Sequence, residues 1–196
     1  MKRLILATLA LALTITGASA QTIWKLDNAH SAVRFSVSHM VIAEVPGNFR
    51  EFDVTFTQKG TADFAGSSLS ATIKTASINT DNEGRDKHLR GDDFFNAEKY
   101  PAITFTSSPF EKTGTDTYVI KGDLTIRDVT KPVVLKGLYT GTVKDPWGNT
   151  RIGFKATASI NRFDFGVKWS KAIEAGGLVA GETVDITLLM EFAQGK

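Results

Sequence analysis

Ile152-Gly153-Phe154-Lys155-Ala156-Thr157-Ala158-Ser159-Ile160 is the stretch that decides the fold. Ile152, Phe154, Ala156, Ala158 and Ile160 share one phase, and alternation of period two puts the apolar side chains on one face of a β-strand. The same pattern recurs along the chain. Val33, Phe35 and Val37 alternate with Arg34, Ser36 and Ser38; Phe52, Val54 and Phe56 with Asp53, Thr55 and Thr57; Leu69, Ala71 and Ile73 with Ser70, Thr72 and Lys74. Tyr118, Ile120, Leu124 and Ile126 form another set, and Val184, Ile186, Leu188, Met190 and Phe192 the last. Adding 22–26, 103–106 and 133–139 predicts about eight or nine strands.

Turn-rich pieces such as Asp145-Pro146-Trp147-Gly148-Asn149 join these segments. No linker, low-complexity tract or internal repeat divides them, so residues 21–196 read as a single all-β domain. Long alternating strands suit a sandwich or a barrel. A closed antiparallel barrel of about eight strands, with one or two short helices, is the expectation, because closure removes exposed strand edges. Two stretches break the alternation: 81–100, rich in charge, and 168–178, which contains Gly176-Gly177. They are expected to form short helices or long loops over a barrel end.

At the N-terminus Lys2 and Arg3 precede an apolar run from Leu4 to Leu13, and Ala18, Ser19 and Ala20 follow. This is the layout of a secretory signal peptide over residues 1–20, with cleavage expected between Ala20 and Gln21. The run is too short for a bilayer anchor, which needs about 20 predominantly apolar residues. Without Lys2 and Arg3, the 23 Lys and Arg and the 21 Asp and Glu come into balance. Near-zero net charge gives no electrostatic case for nucleic acid or an anionic membrane. The chain has no cysteine, so an exported fold must be stabilised by burial without disulfides, and thiolate chemistry is excluded.

Residues suited to catalysis or metal binding are few. His30, His39 and His88 are far apart in sequence, with no pair at metal-ligand spacing. His30 is in phase with Arg34 and is expected outside; His39 is in phase with Val33, Phe35 and Val37, where it would meet the polar end of a ligand or simply cap a strand. The densest polar run, Arg85-Asp86-Lys87-His88-Leu89-Arg90-Gly91-Asp92-Asp93, lacks the order of a serine–histidine–acid triad and any glycine-rich phosphate loop. It reads as a solvated ion-pair network fixing a loop, with Phe94-Phe95 anchoring that loop to the barrel. The alternative is contact with an anionic or quinone head group. Phenylalanine occurs 13 times, often in the inward phase, which by default means a packed core. An eight-stranded interior is either filled or holds a small ligand. Ala71, Ala156, Ala158 and Gly122 would leave room for one, and at this level both alternatives stand.

A series of motifs in order along the chain resembles the YceI-like family of exported, lipocalin-like proteins. They are Trp24-Lys25-Leu26-Asp27, Ala29-His30-Ser31, Phe35 with His39, Gly47-Asn48-Phe49, Ala76-Ser77-Ile78-Asn79-Thr80, Arg85 to Arg90, Asp93-Phe94-Phe95-Asn96 and Lys99 to Phe105. Gly122 to Ile126, Val129 to Val133, Asp145-Pro146-Trp147-Gly148 and Asn161-Arg162-Phe163-Asp164-Phe165-Gly166 complete the series. Each alone is weak, but together they cover nearly all of residues 21–196. The resemblance implies a lipocalin-like barrel whose apolar bore holds a polyisoprenoid, of quinone or prenyl-phosphate type, as its ligand. It implies no enzymatic step, no metal and no redox cofactor, and an association with envelope stress.

The expected function is therefore sequestration or carriage of a polyisoprenoid lipid in the periplasm, with transient membrane contact for loading and edge pairing as a route to a homodimer. Phe35, Val37, His39, Phe52, Val54, Ile73, Phe105, Ile120, Leu124, Phe154, Ala156, Ile186 and Leu188 are the expected ligand-binding residues; none is expected to be catalytic. The alternatives are a lipocalin-shaped isomerase or hydrolase using His39 or Asp86 and His88, or a solid-cored stress-response protein that acts through its loops.

Overall fold

The computed structural model describes residues 21–60, 62–174 and 176–195; the expected signal segment lies outside them. The strands are β1 (Gln21–Leu26), β2 (Ala32–His39), β3 (Ala43–Phe49), β4 (Phe52–Lys59), β5 (Ser68–Lys74), β6 (Ile78–Asn79), β7 (Ala102–Ser107), β8 (Glu111–Lys112), β9 (Thr117–Ile126), β10 (Val129–Lys144), β11 (Thr150–Asn161) and β12 (Ala180–Gln194). The helix α1 spans Glu83–Arg90. The strands form one 12-stranded sheet in the order β1-β4-β5-β7-β9-β10-β11-β12-β2-β3-β6, with β8 beside β9. Pairing of β1 with β12 closes it.

Closure and strand number are reconciled by kinks. The far end of β12 pairs with β1 at Phe192 and Gln194, while Leu189 to Ala180 pair with β2. So β1 and β2 are two halves of one stave, bent at the 3-10 turn Asn28–His30, where the Asp27 side chain accepts from Ala29 N–H. β3 and β4 break at Arg50 and Glu51, and β5 and β6 at Thr75–Ser77. β7 and β8 likewise share one partner, β9, and counting each of these four broken pairs as one stave gives an antiparallel barrel of eight strands.

The barrel has two unlike ends. Where β12 terminates, Phe56 is 1% exposed and its ring meets Phe192 at 5.4 Å, Phe110 at 5.6 Å, Phe154 at 5.7 Å and Phe64 at 5.8 Å. Burial of each such ring stabilises by about 1.5–3 kcal/mol, and together they plug the bore. Trp24 beside them satisfies its indole N–H on Gln58 Oε1 at 2.9 Å. At the other end the inward residues Val37, Ile186 and Leu188 are only half-buried. Their uncovered surface faces the bore.

The sequence pattern did not reveal β3, because Pro46 and Gly47 interrupt its alternation, yet β3 pairs with β2 from Phe49 to Ala43. The stretch 81–100 holds α1, whose N-cap Asn82 accepts from Arg85 N–H and whose end is Gly91. The stretch 168–178 is held by a bridge between Ala172 and Leu178 and contains no helix among the described residues.

Candidate ligand-binding cavity

Inward alternation and an aromatic plug at one end leave a cavity of about 360 Å³ in the rest of the bore. That is within the ordinary range of about 300–1,000 Å³ for small-molecule sites. Phe35, Val37 and His39 reach it from β2, Phe52 and Val54 from β4, Ile73 from β5 and Phe105 from β7. Ile120 and Leu124 on β9, Phe154 and Ala156 on β11, and Ile186 and Leu188 on β12 complete the set expected from sequence, so every expected residue lines this one cavity.

Not all the expected room exists. Gly122 faces inward, but the Phe105 ring from the adjacent strand occupies its space: a β-carbon there would stand 2.5 Å from Phe105 Cζ. Ala158 packs against the core without lining the cavity. Ala71 and Ala156 do face it, as does Gly137.

The polar lining is concentrated at the open end: Ser38, His39, Thr80, Arg85, His88 and Arg162. Only Arg34, on an outward position of β2, lies elsewhere. No carboxylate lines the cavity among the described residues. Arg162 is 6% exposed and donates from Nε to Gly181 O at 2.7 Å, from Nη1 to Val167 O at 2.7 Å and Trp169 O at 2.8 Å, and from Nη2 to Ala180 O at 2.9 Å. These carbonyls stand in for the lost water, and burial still pulls the guanidinium below its ordinary pKa. Sequence reasoning did not select Arg162, although the signal was available: it continues the inward phase of Phe154, Ala156 and Ile160. The same reading missed Val45 and Phe49 on β3, and Trp169, which stands in a stretch without alternation.

The polar run 85–93 is not the solvated ion-pair network expected. Asp86 is buried and accepts from Thr80 N–H at 2.9 Å and Thr80 Oγ1 at 2.6 Å. Arg85 donates from Nε to Thr80 Oγ1 and from Nη2 to Thr80 O, both at 2.7 Å. The helix is thus clamped to the strand end by hydrogen bonds, because carboxylate and guanidinium both find Thr80 before each other. His88 pairs with Asp93 at 2.8 Å, and its ring meets Phe94 at 4.9 Å and Trp169 at 5.5 Å. This aromatic group lines the cavity at its open end, while Phe95 meets Phe49 at 6.0 Å.

Outside the bore, Asp27, His30 and Glu191 bring ligand atoms within 4.8 Å of one another. Arg151 already supplies the cation there, with Nη1 at 2.5 Å from Asp27 and 2.7 Å from Glu191, and Nε at 2.8 Å from Asp145. Its guanidinium holds Asp27 down to about 2, helped by His30 and opposed by burial.

The sequence pattern of the YceI-like domain matches residues 24–192, nearly the whole of this barrel. The chain belongs to the YceI-like family. A UPF0312 protein of Pseudomonas syringae pv. tomato is 35% identical over 195 residues, covering 97% of each chain. The crystal structure of the Campylobacter jejuni YceI protein is 34% identical, covers 81% of this chain and 90% of its own, and superposes with a TM-score of 0.70. A polyisoprenoid binding domain from Saccharophagus degradans, implicated in plant cell wall breakdown, shares the YceI-like fold at 17% identity, with a TM-score of 0.62 over 91% of this chain and 100% of that one.

Proposed function

We propose that the chain binds one long apolar lipid of polyisoprenoid type in the bore and carries or sequesters it in the periplasm after export. The observation that carries this reading is the cavity itself: an apolar bore, closed by phenylalanines at one end, with its buried polar group at the other. The isoprenoid tail runs toward Phe56 and the head group sits near His39, Thr80 and Arg162. A lining without carboxylates accepts a neutral quinone or an anionic prenyl phosphate and repels neither. Family membership and the polyisoprenoid binding domain of the same fold support this assignment.

The reading is one of binding, not catalysis. His88 and Asp93 are both exposed to solvent, and the Thr80 hydroxyl is engaged by Asp86 and Arg85, so among the described residues of the lining no nucleophile stands beside an oriented base as covalent chemistry needs. Each buried CH₂ contributes roughly 0.8 kcal/mol, which makes retention of a long chain strong without any reaction. Organic extraction of the purified protein followed by mass spectrometry tests it. A polyisoprenoid at near one per chain is expected; protein free of extractable lipid after expression in a polyisoprenoid-producing host overturns the reading.

A further inference from the structure

The rim of the cavity carries an apolar tip for which the fold has no use. The turn between β2 and β3 is Met40-Val41-Ile42, closed by Ile42 N–H donating to His39 O at 3.2 Å. Met40 is 40% exposed, Val41 68% and Ile42 89%. Other large hydrophobics exposed among the described residues, such as Val134 and Trp147, stand singly in the sequence, and single ones need no explanation. Met40 and Val41 also sit in the left-handed region, at φ 51° and 67°. Tight hairpins give such positions to Gly, Asn or Asp, and a β-branched residue there is a genuine outlier. Strain and apolar exposure both oppose folding, and their combination points to a role outside the fold.

The position of the tip indicates that role. His39, immediately before it, lines the cavity. Met40 N–H donates to Val179 O at 3.1 Å, and Val179, itself in the lining, donates to Lys171 O at 2.8 Å. Val41 lies so close to Gly177 that a β-carbon there would stand 2.7 Å from Val41 Cγ2. The tip therefore shares one rim with Lys171, Trp169 and Lys168. Both lysines are exposed, and neither forms an ion pair among the described residues.

We propose that Met40-Val41-Ile42, flanked by Lys168 and Lys171, docks the open end of the bore onto a bilayer containing anionic lipid, so that the ligand passes between membrane and bore without crossing water. This rests on the lipid-binding reading above. The partner is a bilayer and not a protein because three side chains fall far short of the roughly 1,000 Å² that a stable protein interface clears. An apolar tip entering the acyl boundary, with lysines at the level of the lipid phosphates, fits a membrane surface.

The chain has no cysteine, so Ile42→Cys accepts a single polarity-sensitive fluorophore. On phosphatidylethanolamine–phosphatidylglycerol vesicles its emission is expected to shift to the blue, while the same label on Trp147→Cys, at the opposite end, stays unchanged. The double substitution Val41→Asn with Ile42→Ser is expected to weaken vesicle flotation by about tenfold or more. Asn suits the left-handed backbone, so fold and co-purified lipid should persist. Lys168→Glu with Lys171→Glu is expected to weaken binding to these vesicles and leave any binding to neutral phosphatidylcholine vesicles unaltered. A silent Ile42 label, a response at Trp147 instead, or a double variant that floats like its parent overturns the docking. Extraction of the same preparations separates the two ideas: lipid present without vesicle contact removes only the docking, whereas absence of lipid removes the binding reading.

Discussion

The ring of Phe35 lies flat against the backbone of Gly47, its register partner on β3, so close that a β-carbon at position 47 would fall inside the ring's van der Waals envelope. The bore wall here is a glycine covered by a phenylalanine, and Phe105 covers Gly122 in the same way. In both places the aromatic ring takes the volume that a side chain on the neighbouring strand would fill.

Gly47→Ala must therefore displace the Phe35 ring. Overfilling of this kind costs typically about 1–3 kcal/mol, and a ring pushed inward also takes space from the cavity it lines. Urea unfolding of delipidated protein is expected to show that loss in the parent background and little of it in Phe35→Leu, a coupling that a double-mutant cycle measures directly. Equal losses in both backgrounds would show that Phe35 is not what the new methyl meets.

Arg151 makes stability depend on acid. It holds Asp27 at about 2 and pushes Asp145 below the ordinary carboxylate range, with Asn149 assisting. A carboxylate with a depressed folded pKa contributes stability that is present above its unfolded value, about 4, and lost as pH falls toward the folded one. Melting temperature should therefore hold as pH falls to about 4 and drop toward about 2. Arg151→Met should melt lower at neutral pH, with the gap closing as the acids protonate. A gap that stays constant down to that acid limit counts against the network. Chelator is expected to leave the midpoint unchanged, because the guanidinium occupies the place between Asp27 and Glu191.

What was legible in the sequence was whatever obeys period two. Ile152 to Ile160 places Phe154 and Ala156 in the lining because nothing interrupts the strand. The kinks were not legible: alternation fixes which face a residue takes, not whether the strand bends, so the break after Asp27 and the halves of the first staves needed the three-dimensional pairing. β3 was hidden by Pro46 and Gly47, the latter kept free of a side chain by the ring it carries. Arg162 went unselected because a guanidinium is costly to bury without partners, and here four backbone carbonyls solvate it.

The mature protein is expected to begin at Gln21. The apolar run 4–13 is short, and Ala18 and Ala20 suit a small-residue cleavage site. Intact mass of the protein recovered from the periplasmic fraction checks this; a membrane-retained product still carrying residues 1–20 would rule out export in this form.

Ala156 separates an open bore from a solid one. It lies between Gly137 on β10 and Leu188 on β12 in register, all three facing the cavity, so an indole placed there must enter the bore. In a densely packed interior Ala156→Trp would cost about 1–3 kcal/mol or more. In an open one the indole takes the place of the lipid chain, and the delipidated variant should unfold close to the delipidated parent while retaining far less extractable lipid. Delipidated forms are the right comparison because bound lipid raises the apparent stability of the parent alone. Ala158→Trp provides the contrast: Ala158 packs on the core and does not border the cavity, so its loss should appear in stability. Thr157→Trp, off the lining, should change lipid content little. A stable Ala156→Trp protein with parental lipid content would place the ligand elsewhere, and severe unfolding at position 156 would mean that the cavity is not available volume in solution.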